Sequence, residues 1–325
     1  MRRALLLLLL ALPVHAGPPL AVPFVAQKPG YCGPAALAML TSFYGQPVAQ
    51  DAIANAIYLP DIHGTLTADL AGYAKHFNLW TRQYRGTTTD IRQKLSAGVP
   101  VIVLGKFGSK LHFFVVLGFD EFAGTVLVHS DQRAGLVMPQ EQFWRVWDRA
   151  DRWTLLICPP GKATWNLTGD EHNDLGVFLE QTGNLPAAAG NYRRATELAP
   201  TNSYFQMNLG NALLKQKLLP EAATAFRQAI HCEPKNADAM NNLAWAYGEL
   251  NANLDEAIAL CDRASELQPG RRAYYLDTRG SVLLRQGRTA EAGETFARAL
   301  AATSDRQTDL REAIRQHLAQ TANAQ

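Results

Sequence analysis

Gln27-Lys28-Pro29-Gly30-Tyr31-Cys32-Gly33-Pro34-Ala35-Ala36-Leu37-Ala38-Met39-Leu40 is the stretch that decides how the first half of this chain is read. Pro34 pre-sets φ for a first helical turn, and the small and apolar residues behind it predict a helix starting at Cys32 or Gly33. A thiol there feels the positive end of the helix dipole and main-chain N–H groups that lack a helical partner. Both favour the thiolate, the nucleophilic form, so Cys32 is a candidate nucleophile. Five residues upstream, the Gln27 side-chain amide is a candidate donor to a developing oxyanion, with the Cys32 main-chain N–H as the second donor.

Such a nucleophile needs a base. The best-placed histidine is His112, at the head of the run His112-Phe113-Phe114-Val115-Val116-Leu117-Gly118-Phe119. This strand and the next, 125–129, flank turn residues at 120–124 and are expected to form a hairpin centred near Phe122. Folding there sets His112 opposite 131–132, where Asp131 is the acid. Cross-strand neighbours lie about 5 Å apart, close enough for a carboxylate to orient an imidazole. His129 is a rival base, two residues before Asp131 on the same face of its strand. His63 and His76 lack a comparable setting and are expected to be surface or packing residues. Phe143, Trp144 and Trp147 recur at helical spacing and are expected to be core rather than the border of a cleft.

Outward from these residues, the first half is an α+β layout. Strands are expected at 99–104, 113–119, 125–128 and 153–158, and helices at 33–44, 67–76, 89–97 and 139–147. The texture changes at Cys158-Pro159-Pro160-Gly161, after which the sequence becomes Ala-rich and helical. It also repeats. Gly176, Gly210, Ala244 and Gly280 hold one position, each followed by matching residues: Leu179, Ala188, Tyr192, Ala195 and Pro200 in the first unit, and Leu213, Ala222, Phe226, Ala229 and Pro234 in the second. The third carries an extra residue around 251–253 and has Cys261 where the others have an aromatic ring. Small residues where two helices approach, a ring filling the gap and a proline after the second helix are the marks of tetratricopeptide (TPR) repeats. An amphipathic stretch at 309–318 would cap the stack. Asn208, Asn211, Asn241 and Asn242 are candidates for lining a concave peptide groove, set against ordinary packing.

The N-terminus reads as a secretory signal over 1–16: Arg2 and Arg3, an apolar run at 4–12, then Val14-His15-Ala16. That run is far short of the roughly 20 residues a membrane-spanning helix needs. An exported, periplasmic or secreted protein without stable membrane insertion is therefore expected, with one domain over 17–162 and a TPR domain over 163–325. The formal net charge of +2 comes with no basic run, which argues against a nucleic-acid partner. No Gly-x-x-x-x-Gly-Lys-Ser/Thr occurs, so ATP is not expected, nor is any cofactor or metal. Export would allow disulfides, but aligning the repeats sets Cys232 and Cys261 six positions, or about 9 Å, out of register; buried free thiols are expected instead.

Gln27, the helix start at Cys32-Gly33-Pro34, the strand Gly98-Val99-Pro100-Val101-Ile102-Val103, the His112 strand and Asp131 together resemble the bacteriocin-processing peptidases that cut after double-glycine leaders. The resemblance spans about residues 23–158. It implies a papain-like fold, with Cys32 as nucleophile, His112 as general base and acid, Asp131 as its orienter and Gln27 as oxyanion donor. Tyr31 stands where the leader peptidases commonly have Asp, and Asp131-Gln132 where they have Asp-Pro, departures that bear on substrate choice. The expected function is peptide-bond hydrolysis through a Cys32 thioester, with the TPR repeats binding the substrate or a partner protein. A catalytically inactive binding module and a transglutaminase-like acyltransferase are the alternatives.

Overall fold

The computed structural model describes residues 18–323, so the signal-sequence expectation over 1–16 lies outside the described residues. The chain divides into two compact units between Asn166 and Leu167.

The first unit is built on a six-stranded antiparallel sheet of β3 (Trp80–Arg85), β4 (Val101–Phe107), β5 (Lys110–Asp120), β6 (Thr125–Ser130), β7 (Arg133–Pro139) and β8 (Trp153–Cys158), in the order β3-β8-β4-β5-β6-β7. A two-stranded ribbon, β1 (Tyr58–Leu59) with β2 (Gly64–Thr65), lies apart from it. Helix α1 (Cys32–Phe43) buries residues on every side. It shares a core with α2 (Gln50–Ile57), α3 (Thr67–Ala74) and the alternate sheet residues Ile102, Leu104, Phe113, Val115, Leu117, Leu155 and Ile157. Strand alternation sends Phe114 to the other face, where α4 (Thr88–Ser96) and α5 (Gln140–Asp148) follow their strands. A bulge between Val116 and Gly118 breaks that alternation, so Phe119 turns to Phe143 and Trp144 of α5 rather than to α1. Phe143 and Trp147 are fully buried, the core role expected of them.

Helix α4 carries an unusual core residue. Lys94 is completely buried, its Nζ bonded to Asp90 and lying 5.0 Å above the rings of both Tyr84 and Trp165.

In the second unit the helices pair as α6 (Gly169–Gln181) with α7 (Leu185–Leu198), α8 (Ser203–Lys215) with α9 (Leu219–Cys232), α10 (Ala237–Leu250) with α11 (Leu254–Leu267) and α12 (Arg272–Arg285) with α13 (Thr289–Ala301). The repeated small residue and ring do what the pattern requires. A Cβ placed on Gly176, Gly210 or Gly280 would come within 2.7, 2.5 and 2.5 Å of the rings of Tyr192, Phe226 and Phe296 respectively. The third repeat, with Cys261 at the ring position, has Ala244 at the glycine position. Its extra residue is taken up by Asn251 and Asn253, both in the left-handed region that asparagine tolerates. The last helix, α14 (Thr308–Asn323), inserts Ile314 into the core of the fourth repeat.

No disulfide joins the four cysteines, all of which are described. Cys261 is buried as expected. Cys232 is only partly so, and its Sγ donates to the Pro200 carbonyl at 3.4 Å. Among the described residues no helix is long and apolar enough to cross a membrane.

Candidate active site

Cys32 is the first residue of α1, and the chain reaches it through Tyr31, which makes no side-chain cap and packs its ring on Tyr58 at 5.2 Å. The sulfur accepts hydrogen bonds from the main-chain N–H groups of Phe113, Gly33 and Cys32 itself. The helix start thus supplies two donors and strand β5 the third. Phe113 N–H on the sulfur makes the start of β5 a neighbour of Cys32, while the ring of the preceding residue, His112, packs edge-on against Phe114 at 5.0 Å.

These donors lower the Cys32 pKa, yet it ends above the ordinary thiol value of 9.0 because burial outweighs them, with the Asp131 charge adding to the rise. The N–H groups of the helix start thus act in the expected direction, but burial is the larger effect. Burial also lowers the His112 pKa below 6.5, against the opposing pull of Asp131. In both groups burial acts against the charged form.

The far side of the imidazole is held from β6. His112 Nε2 lies 3.0 Å from Ser130 Oγ and 3.9 Å from Asp131 Oδ1. Asp131 sits in the left-handed region, at φ 53°, in the tight turn between β6 and β7. Ser130 did not emerge from the sequence, although the same hairpin arithmetic that found Asp131 puts residue 130 on the edge of His112.

Gln27 joins this group through Asp131. Its main-chain N–H donates to the Asp131 carbonyl at 3.1 Å and its Nε2 to Asp131 Oδ1 at 2.8 Å. Gln132 Nε2 returns a bond to the Gln27 carbonyl. The segment is further tied down by Gln50, whose Nε2 donates to the Ala26 carbonyl at 2.8 Å and whose Oε1 accepts from Lys28 N–H at 3.0 Å. Gln27 and His112 therefore meet at Asp131, whose charge acts on Cys32, and the Gln27 amide is engaged by the carboxylate in the resting site.

The other histidines are accounted for elsewhere. His129 is fully committed: its Nε2 donates to the Val22 carbonyl at 2.9 Å, its Nδ1 accepts from Gly135 N–H at 3.0 Å, and its ring packs on Phe24. Neither nitrogen is open to act as a base. His76 bonds the Tyr73 carbonyl through Nδ1, and His63 is an exposed residue ending a 3₁₀ turn. Of the repeat asparagines, Asn208 bonds Asn173 at 2.8 Å and Asn242 bonds Asn211 at 3.0 Å across neighbouring repeats, while the buried Oδ1 of Asn241 has no hydrogen-bond partner among the described residues. Among the described residues, no group of three His, Cys, Asp or Glu side chains forms a metal site.

Comparison with known proteins agrees with this architecture. Residues 19–152 match the Peptidase_C39 like family, and residues 173–236, 207–272 and 251–306 match the tetratricopeptide repeat. The chain is thus a Peptidase_C39-like domain followed by TPR repeats. Among curated proteins it is 24% identical over 172 residues to the human protein O-mannosyl-transferase TMTC3, a match covering 49% of this chain and 18% of that protein. The chain spans under a fifth of the length of the curated relatives it matches. Similar solved structures include a thermophilic TPR protein of Thermus thermophilus, 23% identical, covering 47% of this chain and 82% of that one at a TM-score of 0.41. The peptidase domain of Streptococcus ComA is 22% identical, covering 42% of this chain and 96% of that one at a TM-score of 0.36.

Proposed function

We propose that the chain is an exported cysteine peptidase that hydrolyses a peptide bond through a Cys32 thioester, its TPR repeats binding the substrate or a partner protein. The observation that supports this reading is the helix N-terminus and the Phe113 N–H converging on the Cys32 sulfur, with Asp131 close enough for its charge to act on Cys32 and, together with Ser130, in reach of His112.

Burial raises the Cys32 pKa and lowers that of His112, which suits attack assisted by His112 as a general base. The neutral imidazole carries its proton on Nε2, facing Ser130 Oγ and Asp131 Oδ1, and leaves Nδ1 open. Nδ1 takes the Cys32 proton as the sulfur bonds to the scissile carbonyl carbon, and negative charge collects on the carbonyl oxygen. The Cys32 N–H and the Gln27 amide, transferred from Asp131, stabilise that oxyanion. Collapse breaks the C–N bond as His112 protonates the leaving amine. Water, deprotonated by His112, then adds to the thioester, and loss of the sulfur frees the acid and restores the thiol.

The test uses the full chain and internally quenched peptides, followed by mass spectrometry of the products. Cleavage that disappears in Cys32→Ala and His112→Ala supports peptidase activity. Folded native protein that leaves the Cys32 thiol unacylated by every peptide offered would instead favour the inactive binding module. Products joined to an added amine would favour acyl transfer.

A further inference from the structure

A cleft of about 540 Å³ opens against His112, Ser130 and Asp131, walled by the β4–β5 hairpin tip and by β7. We propose that it is a subsite for an acidic and apolar stretch of the substrate peptide: one Asp or Glu side chain held by Lys110 and Arg133, and an adjacent large apolar side chain against Phe107, Phe114 and Val137. The proposal rests on the peptidase reading for the nature of the occupant, a peptide chain continuing past the bond that reaches Cys32.

Apolar surface is the first observation. Phe107, Leu111 and Val137 all line this cleft, and they remain 40%, 56% and 59% exposed. A cluster of large apolar side chains left in water around one concavity marks a surface that something covers.

Charge is the second. Several cations elsewhere in the first unit are paired, Lys28 with Asp51, Arg85 with Asp151, Arg92 with Glu121, Arg145 with Glu141 and Arg152 with Asp148, while Lys75, Lys106, Arg149 and Lys162 have no carboxylate partner among the described residues. Lys110 and Arg133, both exposed on the cleft, have no such partner among the described residues. Asp131 is the one carboxylate among the described residues of the wall, and its Oδ1 already accepts from Gln27 Nε2. Two fixed positive charges against one engaged negative charge leave a cleft that attracts an anion, while its aromatic and aliphatic floor rejects a fully hydrated one. A carboxylate on a peptide beside a leucine-like side chain satisfies both demands. A basic peptide satisfies neither, since it would bring a third cation to the wall.

The experiment measures binding rather than turnover, so it stands apart from the peptidase reading. Fluorescein-labelled Gly/Ser host peptides carrying Leu-Glu, Leu-Gln, Leu-Lys or Ser-Glu at their centre are titrated by fluorescence anisotropy into the full chain bearing Cys32→Ala. The expected order places Leu-Glu above Leu-Gln by about three- to tenfold and Leu-Lys last, with Ser-Glu weakened by loss of the apolar contact. Charge reversal in Lys110→Glu/Arg133→Glu should invert the Glu and Lys order, and added salt should flatten it. Because both side chains are exposed the double variant is expected to fold; if it does not, Lys110→Gln/Arg133→Gln should abolish the Glu preference. Equal binding of Leu-Glu and Leu-Lys, no binding of any peptide, or a preference untouched by either double variant would overturn the proposal. Binding in the expected order, without cleavage by the native Cys32 chain, would sink the peptidase reading and leave the subsite standing.

Discussion

Replacing Gly210 by alanine sets two effects of opposite sign against each other inside one repeat. The new Cβ would lie 2.5, 2.7 and 2.9 Å from Cε1, Cδ1 and Cζ of Phe226. Carbon atoms rest at about 3.5–4.0 Å, so the ring must retreat by about 1 Å. Phe226 is completely buried, and a core at crystal-like density has no such space to give. Overpacking of this kind costs about 1–3 kcal/mol. Against it, alanine in a helix interior is favoured over glycine by about 0.5–1 kcal/mol. Packing is the larger effect, and a net loss of about 0.5–2 kcal/mol is expected. Hydrogen exchange of the full chain, read by mass spectrometry on peptides from α8 and α9, should quicken by about two- to thirtyfold. Gly210→Ala/Phe226→Leu should recover part of that loss, a coupling of about 0.5–3 kcal/mol. Slower exchange in Gly210→Ala would mean that propensity wins and that the ring is not what excludes a side chain at this position.

The remaining predictions concern the sheet domain. Burial raises the Cys32 pKa above 9.0, so iodoacetamide labelling of Cys32, read by peptide mass spectrometry, should become rapid only on the alkaline side of an ordinary thiol. Asp131→Asn removes a negative charge that contributes to that rise and should move the labelling midpoint to lower pH; a midpoint that does not move would separate Asp131 from the sulfur. Gln27→Ala should lower kcat by about 10²–10³ with a smaller change in KM, as expected for a donor used in the transition state. Asp90→Ala removes one charged partner of the buried Lys94 ammonium and should destabilise the protein by about 1–3 kcal/mol, whereas Lys94→Met should cost less; thermal melts of the two variants give the comparison.

Much of the site was legible because its signals are local. Pro34 behind Cys32 and Gly33 marks a helix start, which the structure places at Cys32, and the turn residues at 120–124 fixed the hairpin that brings His112 to Asp131. The repeats were legible from spacing alone, since each solves the same packing problem. Other features depend on partners distant in the chain. Strands β3 and β7 are half exposed and carry several charged or polar residues, so they show no clean apolar alternation. Helix α2 was missed although its Gln50 fastens the Gln27 segment, a role fixed by a contact more than twenty residues away. The burial of Lys94 follows from the aromatic rings of Tyr84 and Trp165 that enclose it, and nothing adjacent in the sequence announces it. The Cys32 pKa turned on how completely the fold covers the sulfur, a quantity that a helix-start motif does not contain.

The tie from Gln27 to Asp131 spans 104 residues. The segment before it is laced to the sheet as well, through Leu20 N–H to the Leu117 carbonyl and the Val22 carbonyl to His129. Closing so long a loop comes late in folding, because its entropy must be met before the contact gives anything back. On a ribosome, Cys32 would leave the exit tunnel long before the residues that complete its surroundings have been made. Cys32 would therefore pass through synthesis before His112 and Asp131 exist, with Gln27 already made but not yet held by Asp131, and the order of residues along the chain itself delays assembly of the candidate site until β6 has joined the sheet.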